Sequence, residues 1–340
     1  MKNSLKTLLF LLIIIFVISC DNSVKNIPES NSNQIEKDKQ LTYVSPVGEY
    51  LGQTPPGTSA EIFAPGIVST YNDETNSFFS PDGNNFYFSL RTSGSYFKIM
   101  QMEKVNNKWS EPKRAWFSDE KSKNIDISIS QDGKKILFVS DRPTFKYDSI
   151  NDYNIWEINF TTNGWDEPKP LDINNNSNYL CPTIAKNGNI YFFSDFNQMN
   201  SGLDIFKSEY KNGKYQKPKI LKESINTIYH DFDPFISPDE SFLIFSSTRY
   251  DSINNCDLYI AYNLGNGQWG DAIKFDKSVN SDNDEFAPYL SYDGKYLFFT
   301  SNTDSIYPNA NYKNRKYLNF AGNVFWVDAK IIEQCKKEII

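Results

Sequence analysis

The chain has 340 residues, enough for two or three ordinary domains or one large repeat architecture. Its 26 Phe, 21 Tyr and 6 Trp exclude disorder throughout, because so many rings are costly to leave in water, and aromatics favour strands over helices. The formal charge of −7, from 35 basic and 42 acidic residues, is the wrong balance for nucleic acid, whose counterions are displaced by a basic surface.

Lys2 and Lys6 precede an apolar run from Leu8 to Ile18, the layout of a secretory signal. As a helix that run reaches about 16 Å, short of a bilayer core of roughly 30 Å, so a permanent transmembrane anchor is the poorer reading. It closes on Val17-Ile18-Ser19-Cys20, which resembles the lipobox of bacterial lipoproteins. The resemblance implies that residues 1–19 are removed and that Cys20 receives fatty chains of the palmitate type on its sulfur and on its new amine. Three such chains, at about 0.8 kcal/mol per buried methylene, make anchoring practically permanent. Loss of Lys2 and Lys6 with the leader takes the charge to −9. Residues 20–45 then comprise the lipidated cysteine and a polar linker with a mean reach on the order of 25–30 Å. The expected address is the cell envelope, as an outer-membrane lipoprotein. Asp21 resembles an inner-membrane retention signal of some bacteria, and the periplasmic or surface face stays open.

Cys181, Cys256 and Cys335 remain in the mature chain, an odd number without C-x-x-C spacing. Buried free thiols are expected rather than a zinc site or a disulfide framework.

From residue 46 to 330 one pattern recurs five times. Ser80-Pro81-Asp82-Gly83, Ser130-Gln131-Asp132-Gly133, Ala185-Lys186-Asn187-Gly188, Ser237-Pro238-Asp239-Glu240 and Ser291-Tyr292-Asp293-Gly294 each precede an apolar run, such as Phe86-Tyr87-Phe88 or Leu297-Phe298-Phe299. The turns are 50, 55, 52 and 54 residues apart. Asp-Gly and Asn-Gly supply the positive φ of a tight hairpin, and continuous apolar runs fit strands covered on both faces. A third strand recurs as Lys98-Ile99-Met100, Asn154-Ile155-Trp156, Asp204-Ile205-Phe206, Asp257-Leu258-Tyr259 and Asn323-Val324-Phe325. A fourth, with an edge-strand proline, is expected at Trp109–Pro112, Trp165–Pro168 and Tyr215–Pro218, with Trp269–Ala272 as its copy.

Four short strands per unit of about 50 residues indicate a propeller blade. The fifth unit lacks its last strand, and Ile62-Phe63-Ala64-Pro65 supplies one, with Pro65 set at the place of Pro112 and Tyr71-Asn72 matched to Ile173-Asn174. The expected fold class is all-β, a five-bladed β-propeller of four-stranded blades closed by an N-terminal strand, with six blades as the alternative. Residues 331–340 form a short C-terminal tail, read as a helix laid on the body.

The S-P-D-G turn, the following Y-F-S, the downstream arginines Arg91, Arg142 and Arg249, and Asp204-Ile205-Phe206 resemble the WD40-like repeat of TolB-type propellers. This implies a propeller that binds envelope proteins. Related propellers occur in peptidase regulatory domains and in pectin-fragment lyases.

His230 is the chain's single histidine, and G-x-S-x-G and H-E-x-x-H are absent, so serine-hydrolase and zinc-hydrolase chemistry lack their parts. Gly265-Asn266-Gly267-Gln268-Trp269-Gly270 fits G-x-G-x-x-G literally but overlies a hairpin turn, so no nucleotide cofactor is expected. Six places before the turn Ser/Ala stand Glu74, Asn124, Tyr179, Asp231 and Glu285, and four places before it Asp126 and Asp233. Innermost strands line a propeller's axis, so Glu74, Asp126, His230, Asp231, Asp233 and Glu285 are the candidate ligand-binding set at one channel mouth. They are read as caps of backbone donors, as a cation or cationic-ligand site, or as glycosidase carboxylates. The arginines are expected to pair with blade carboxylates, and Trp109, Trp165 and Trp269 to pack between blades. The resulting reading is a lipid-anchored, non-catalytic binding module for a protein or glycan partner, with no cofactor; the alternative is a polysaccharide lyase or glycosidase.

Overall fold

The computed structural model describes residues 43–145, 152–174, 177–196, 202–222, 224–249, 255–302 and 322–337. Cys20, the leader and the linker as far as Thr42 lie outside the described residues. Among the described residues, the unit from Tyr43 onward holds five antiparallel sheets, the blades of an all-β propeller, and one separate two-stranded ribbon. Their innermost strands are Asp73–Phe79, Asn124–Ile129, Tyr179–Ile184, Asp231–Ile236 and Glu285–Leu290. Each pairs with a second strand, Asn85–Arg91, Lys135–Ser140, Ile190–Ser194, Phe242–Ser247 and Tyr296–Ser301, and that with a third. Four of the five turns between first and second strands share one set of bonds, and the fifth has Ala185 in place of the serine. Ser80, Ser130, Ser237 and Ser291 accept through Oγ the N–H five residues on, at 2.9, 2.9, 2.9 and 3.0 Å. The turn residue has φ of 65°, 68°, 88°, 57° and 73° at Gly83, Gly133, Gly188, Glu240 and Gly294, which explains the glycines and makes Glu240 the exception.

The outer strand lies after the proline, which corrects the expected placement. Lys108–Trp109, Gly164–Trp165 and Gln268–Trp269 pair with the far end of their third strand, and Lys214–Tyr215 with Tyr210–Lys211. The fourth strands are Lys113–Arg114, Lys169–Pro170, Lys219–Ile220 and Ile273–Lys274. Just beyond each, the N–H of Ala115, Leu171, Leu221 and Phe275 bonds back to the third strand, and Phe63 does the same to Val324 O at 2.8 Å. Phe63 is thus the counterpart of Ala115, and Ala60, not Pro65, stands at the place of Pro112.

Glu61 pairs with Trp326 and Ile62 with Phe325, so the N-terminal strand completes the blade of Asn323–Asp328 and closes the ring. A polar side chain then clasps the third strand. Asn174, Asn226 and Asn280 each accept an N–H and donate to the C=O of the same residue, Ile155, Ile205 and Leu258. In the closing blade Ser69 exchanges both bonds with Val324, so Val68-Ser69 rather than Tyr71-Asn72 matches Ile173-Asn174.

Closure is sealed by rings. Phe63 lies 5.1 Å from both Phe298 and Trp326 and 5.4 Å from Phe86, and is fully buried. Against this core pack Tyr50, whose hydroxyl donates to Asp293 Oδ1 at 2.7 Å, and helix α1 (Lys330–Lys337) through Ile331, Ile332 and Cys335. Among the described residues no helix is long and apolar enough to cross a membrane. Cys181 and Cys256 are buried free thiols, and Cys335 is buried.

Candidate functional site

Every innermost strand carries the same irregularity. Pairing slips between Thr75 and Phe78, Ile125 and Ser128, Leu180 and Thr183, Phe232 and Phe235, and Phe286 and Tyr289. The bulged residues Asn76, Asp126, Cys181, Asp233 and Ala287 all adopt left-handed φ, between 46° and 58°. A proline follows in three blades, at Pro182, Pro234 and Pro288, where the bulge leaves an N–H outside the ladder. The bulges form a ring about the axis, tied blade to blade. Cys181 N–H donates to Asp126 Oδ2 at 3.1 Å and Ala287 N–H to Asp233 Oδ2 at 3.0 Å. Asn76 Oδ1 is buried with no donor among the described residues.

Below this ring the channel narrows to about 20 Å³. Above it, at the end where the innermost strands begin, lies a cavity of about 490 Å³. Its wall includes Phe97, Leu180, Phe193, Leu203, Phe232 and Phe286, and its polar groups include Asp126, Asp233, Asp73, Arg91, Asp284 and His230. Phe193 and Phe232 meet edge to face at 5.9 Å.

Of the six residues singled out from the sequence, the structure brings Asp126, Asp233 and His230 to this cavity. Asp126 and Asp233 are 4% and 7% exposed. Burial, and then the neighbouring Asp233 carboxylate, push the Asp126 carboxyl up to about 7. Burial pushes Asp233 up to about 6 against the bonds it accepts from Cys181 and Ala287. The Cys181 thiol is pushed well above its usual range by burial and by the Asp126 and Asp233 carboxylates, and Cys256 by burial and Asp284. His230 is exposed at the rim and accepts the Leu203 N–H at Nδ1, 3.1 Å.

Glu74, Asp231 and Glu285 are placed differently. Each is fully buried beneath the loop that enters its blade and accepts the N–H and the hydroxyl of the residue four earlier, Thr70, Thr227 and Ser281. Arg249 meets Asp231 at 2.6 Å, Arg91 meets Asp73 at 2.5 Å, and Arg142 meets Asp119 at 3.0 Å, so all three arginines pair with carboxylates. In the second blade the acid has moved from the strand, where Asn124 stands, to the loop.

Of the three tryptophans expected between blades, Trp269 meets Tyr191 of the adjoining blade, whereas Trp109 is buried against Phe79 of its own blade. Trp165 corrects the packing expectation: it is 38% exposed and lies against Phe160 of its own blade. The Gly265–Gly270 segment is the hairpin between Asp257–Gly265 and Gln268–Trp269.

Sequence reasoning missed the two cavity thiols and the phenylalanine wall. The signal for the ring was the position four before each turn, where Asn76, Cys181 and Ala287 are the repeats of Asp126 and Asp233.

The chain is similar to several solved structures. A TolB-type protein of Agrobacterium tumefaciens aligns at TM-score 0.45 and 16% identity, over 68% of this chain and 71% of its own. TolB of Acinetobacter baumannii aligns at 0.47 and 14%, over 70% of this chain and 51% of its own, so this chain spans about half its length. An α-L-arabinofuranosidase of Lactobacillus brevis aligns at 0.42 and 14%, over 74% and 90%. No family model and no curated protein matches the chain. The assignment as a five-bladed propeller rests on the strand pairing itself.

Proposed function

We propose that this protein is a lipid-anchored propeller of the cell envelope that binds a protein or glycan partner without transforming it, and that the cavity above the bulge ring is the receptor. Anchoring rests on the Val17–Cys20 sequence. The binding reading rests on the cavity: at about 490 Å³ it lies within the roughly 300–1,000 Å³ of ligand pockets, with an apolar wall and a few convergent polar groups. The described start of the chain docks at the opposite, turn-bearing end, where Trp109 N–H bonds Pro46 O and Tyr50 bonds Asp293.

Binding rather than turnover follows from how the reactive groups are engaged. Asp126 and Asp233 each hold the backbone of the next blade, and burial keeps the Cys181 and Cys256 thiols protonated. The test pairs capture with turnover. Full-length protein is screened for retention of envelope glycans and for cross-linking to envelope proteins, beside Phe232→Trp, which fills the cavity. Retention or cross-linking lost in Phe232→Trp is the expected result. Release of product from any glycan, abolished by Asp233→Asn, overturns the non-catalytic reading. Cys20→Ser is expected to shift the protein from the membrane to the soluble fraction.

A further inference from the structure

We propose that the cavity receives a lysyl-type side chain of a polypeptide partner, an ammonium on a methylene stem, with Asp126 and Asp233 taking its charge. This rests on the reading of the cavity as a binding site. Four aspartates line it, Asp73, Asp126, Asp233 and Asp284, against one guanidinium, Arg91. Arg91 is engaged by Asp73 at 2.5 Å. Asp284 accepts the Cys256 N–H at 2.8 Å and the Asn302 amide at 2.5 Å. Asp126 and Asp233 each hold one backbone N–H and, among the described residues, have no cationic partner. A carboxylate that is more than nine-tenths buried carries a large desolvation penalty, which an opposite charge entering the site relieves.

The wall selects the form of that cation. Phe97, Phe193, Phe232, Phe286, Leu180 and Leu203 offer surface to methylene groups, and ring faces attract an ammonium as it passes. An amino sugar would set hydroxyls against these phenylalanine and leucine side chains, which offer them no hydrogen bond, and this favours the alkyl stem. The pair of carboxylates also makes the site sensitive to pH. Cys181, Cys256, Asp73, Asp284, Arg91 and His230 share the cavity with them, and the thiols stay protonated. Both aspartates are largely protonated near pH 5 and largely ionised near pH 8, while a lysyl ammonium is charged throughout. Binding therefore strengthens as pH rises over that interval and releases protons near neutrality.

The experiment is calorimetric titration of the full-length chain in detergent with four probes: Nα-acetyl-lysine amide, its uncharged counterpart Nα-acetyl-norleucine amide, glucosamine and hexanoate. The lysine derivative is expected to bind about tenfold or more tighter than the norleucine one, and about tenfold tighter near pH 8 than near pH 5. Asp126→Asn and Asp233→Asn are each expected to weaken it about tenfold. Asparagine keeps an acceptor for the next bulge and tolerates left-handed φ, so the ring survives. Proton release by the unmodified protein, read in buffers of different ionisation enthalpy, provides the same answer without a variant.

Equal affinity for norleucine amide or hexanoate overturns the charge assignment and leaves the cavity a binding site. Preference for glucosamine overturns the polypeptide side chain in favour of a glycan. Absence of heat from all four probes at about 10 mM overturns the inference, whereas loss of partner capture in Phe232→Trp is scored separately.

Discussion

Asp126 accepts the backbone N–H of Cys181 through Oδ2 at 3.1 Å, so a carboxylate of one blade holds the bulge of the next. Asp233 repeats the contact on Ala287 at 3.0 Å. At two other junctions of the ring the work falls to hydroxyls: Asp126 N–H donates to Ser89 Oγ at 3.3 Å, and Asn76 N–H to Thr300 Oγ1 at 3.4 Å. The floor of the cavity is thus built of backbone held at left-handed φ, which disfavours L-residues by roughly 1–2 kcal/mol each and is tolerated best by Asn and Asp. Left-handed φ recurs at one place in all five innermost strands, and backbone strain of this kind supports the receptor proposed above.

These buried carboxylates predict an unusual dependence of stability on pH. Their carboxyls titrate at about 7 and about 6 in the folded chain, against about 3.9 for an unfolded aspartate. Between those limits the folded state binds more protons than the unfolded state, so stability falls as pH rises from about 4 to about 7 and levels off above. Asp126→Asn removes the group that must be ionised while buried. It is expected to raise the melting temperature near pH 8 and to change it little near pH 4.5, which thermal unfolding across that range measures. A variant destabilised equally at both pH values would count against a desolvated carboxylate.

Ring closure provides the second prediction. Phe63→Ala removes a fully buried ring packed on Phe86, Phe298 and Trp326 and is expected to lower stability by about 3–5 kcal/mol in denaturant titration. Ser69→Ala deletes both bonds to Val324 and is expected to cost about 1–2 kcal/mol. Asn72→Ala touches a local bond to Thr70 and is expected to stay within about 0.5 kcal/mol. The reverse order of Ser69 and Asn72 would restore the alignment read from the sequence.

That comparison shows what the sequence could reveal. The five blades were legible because each hairpin turn demands positive φ, and Asp-Gly or Asn-Gly announces it. The outer strands were not, because each is two residues long, as at Lys113–Arg114, and the repeat's prolines merely precede them. In the closing blade Ile62-Phe63-Ala64-Pro65 imitates an apolar strand followed by an edge proline, and the alignment slipped by five residues. The site was half visible. Asp126, Asp233 and His230 were found from their place in the repeat, but a bulge has no composition of its own. Which of two positions two residues apart faces the axis depends on that bulge, so Asp126 and Asp231 look alike in sequence and stand in different surroundings.

Arg249 and Asp231 test the architectural reading of the second of these. Their side chains are 5% and 0% exposed and lie 2.6 Å apart, and Arg249 also donates to Ser247 Oγ at 2.9 Å and to Ile225 O. Arg249→Ala strands a fully buried carboxylate and is expected to destabilise by about 3–5 kcal/mol. Arg249→Lys keeps the charge without the planar fork and is expected to recover only part of that. Lysine-probe binding by the folded fraction of Arg249→Lys should equal that of the parent chain, since neither residue lines the cavity. A large loss of binding with little loss of stability would move Asp231 from scaffold to receptor.

Glu240 offers the most discriminating substitution, because two effects of similar size oppose each other. It occupies the turn position held by glycine in the other four blades, with φ 57°, and Glu240→Gly relieves roughly 1 kcal/mol of backbone strain. Against that, its carboxylate accepts from Asn187, Asn189 and the Tyr191 hydroxyl, at 2.7, 3.0 and 2.7 Å, and pairs with Lys207 at 2.8 Å, all on the preceding blade. Partial burial pushes this carboxyl up, but the bonds from Lys207, Asn189, Tyr191 and Asn187 outweigh it and hold the group below the usual glutamate range. Losing several charge-assisted bonds outweighs the relief, so Glu240→Gly is expected to destabilise by about 1–2 kcal/mol at neutral pH. The carboxylate's contribution is complete above about pH 4.3 and fades as pH falls through its lowered folded value. The difference between parent and variant should therefore shrink in acid and reverse once the carboxylate is protonated, leaving the strain relief alone. Urea titrations carried from about pH 7 down through the acid range follow this change, and a variant more stable throughout would show that the turn, and not the inter-blade clasp, governs this position.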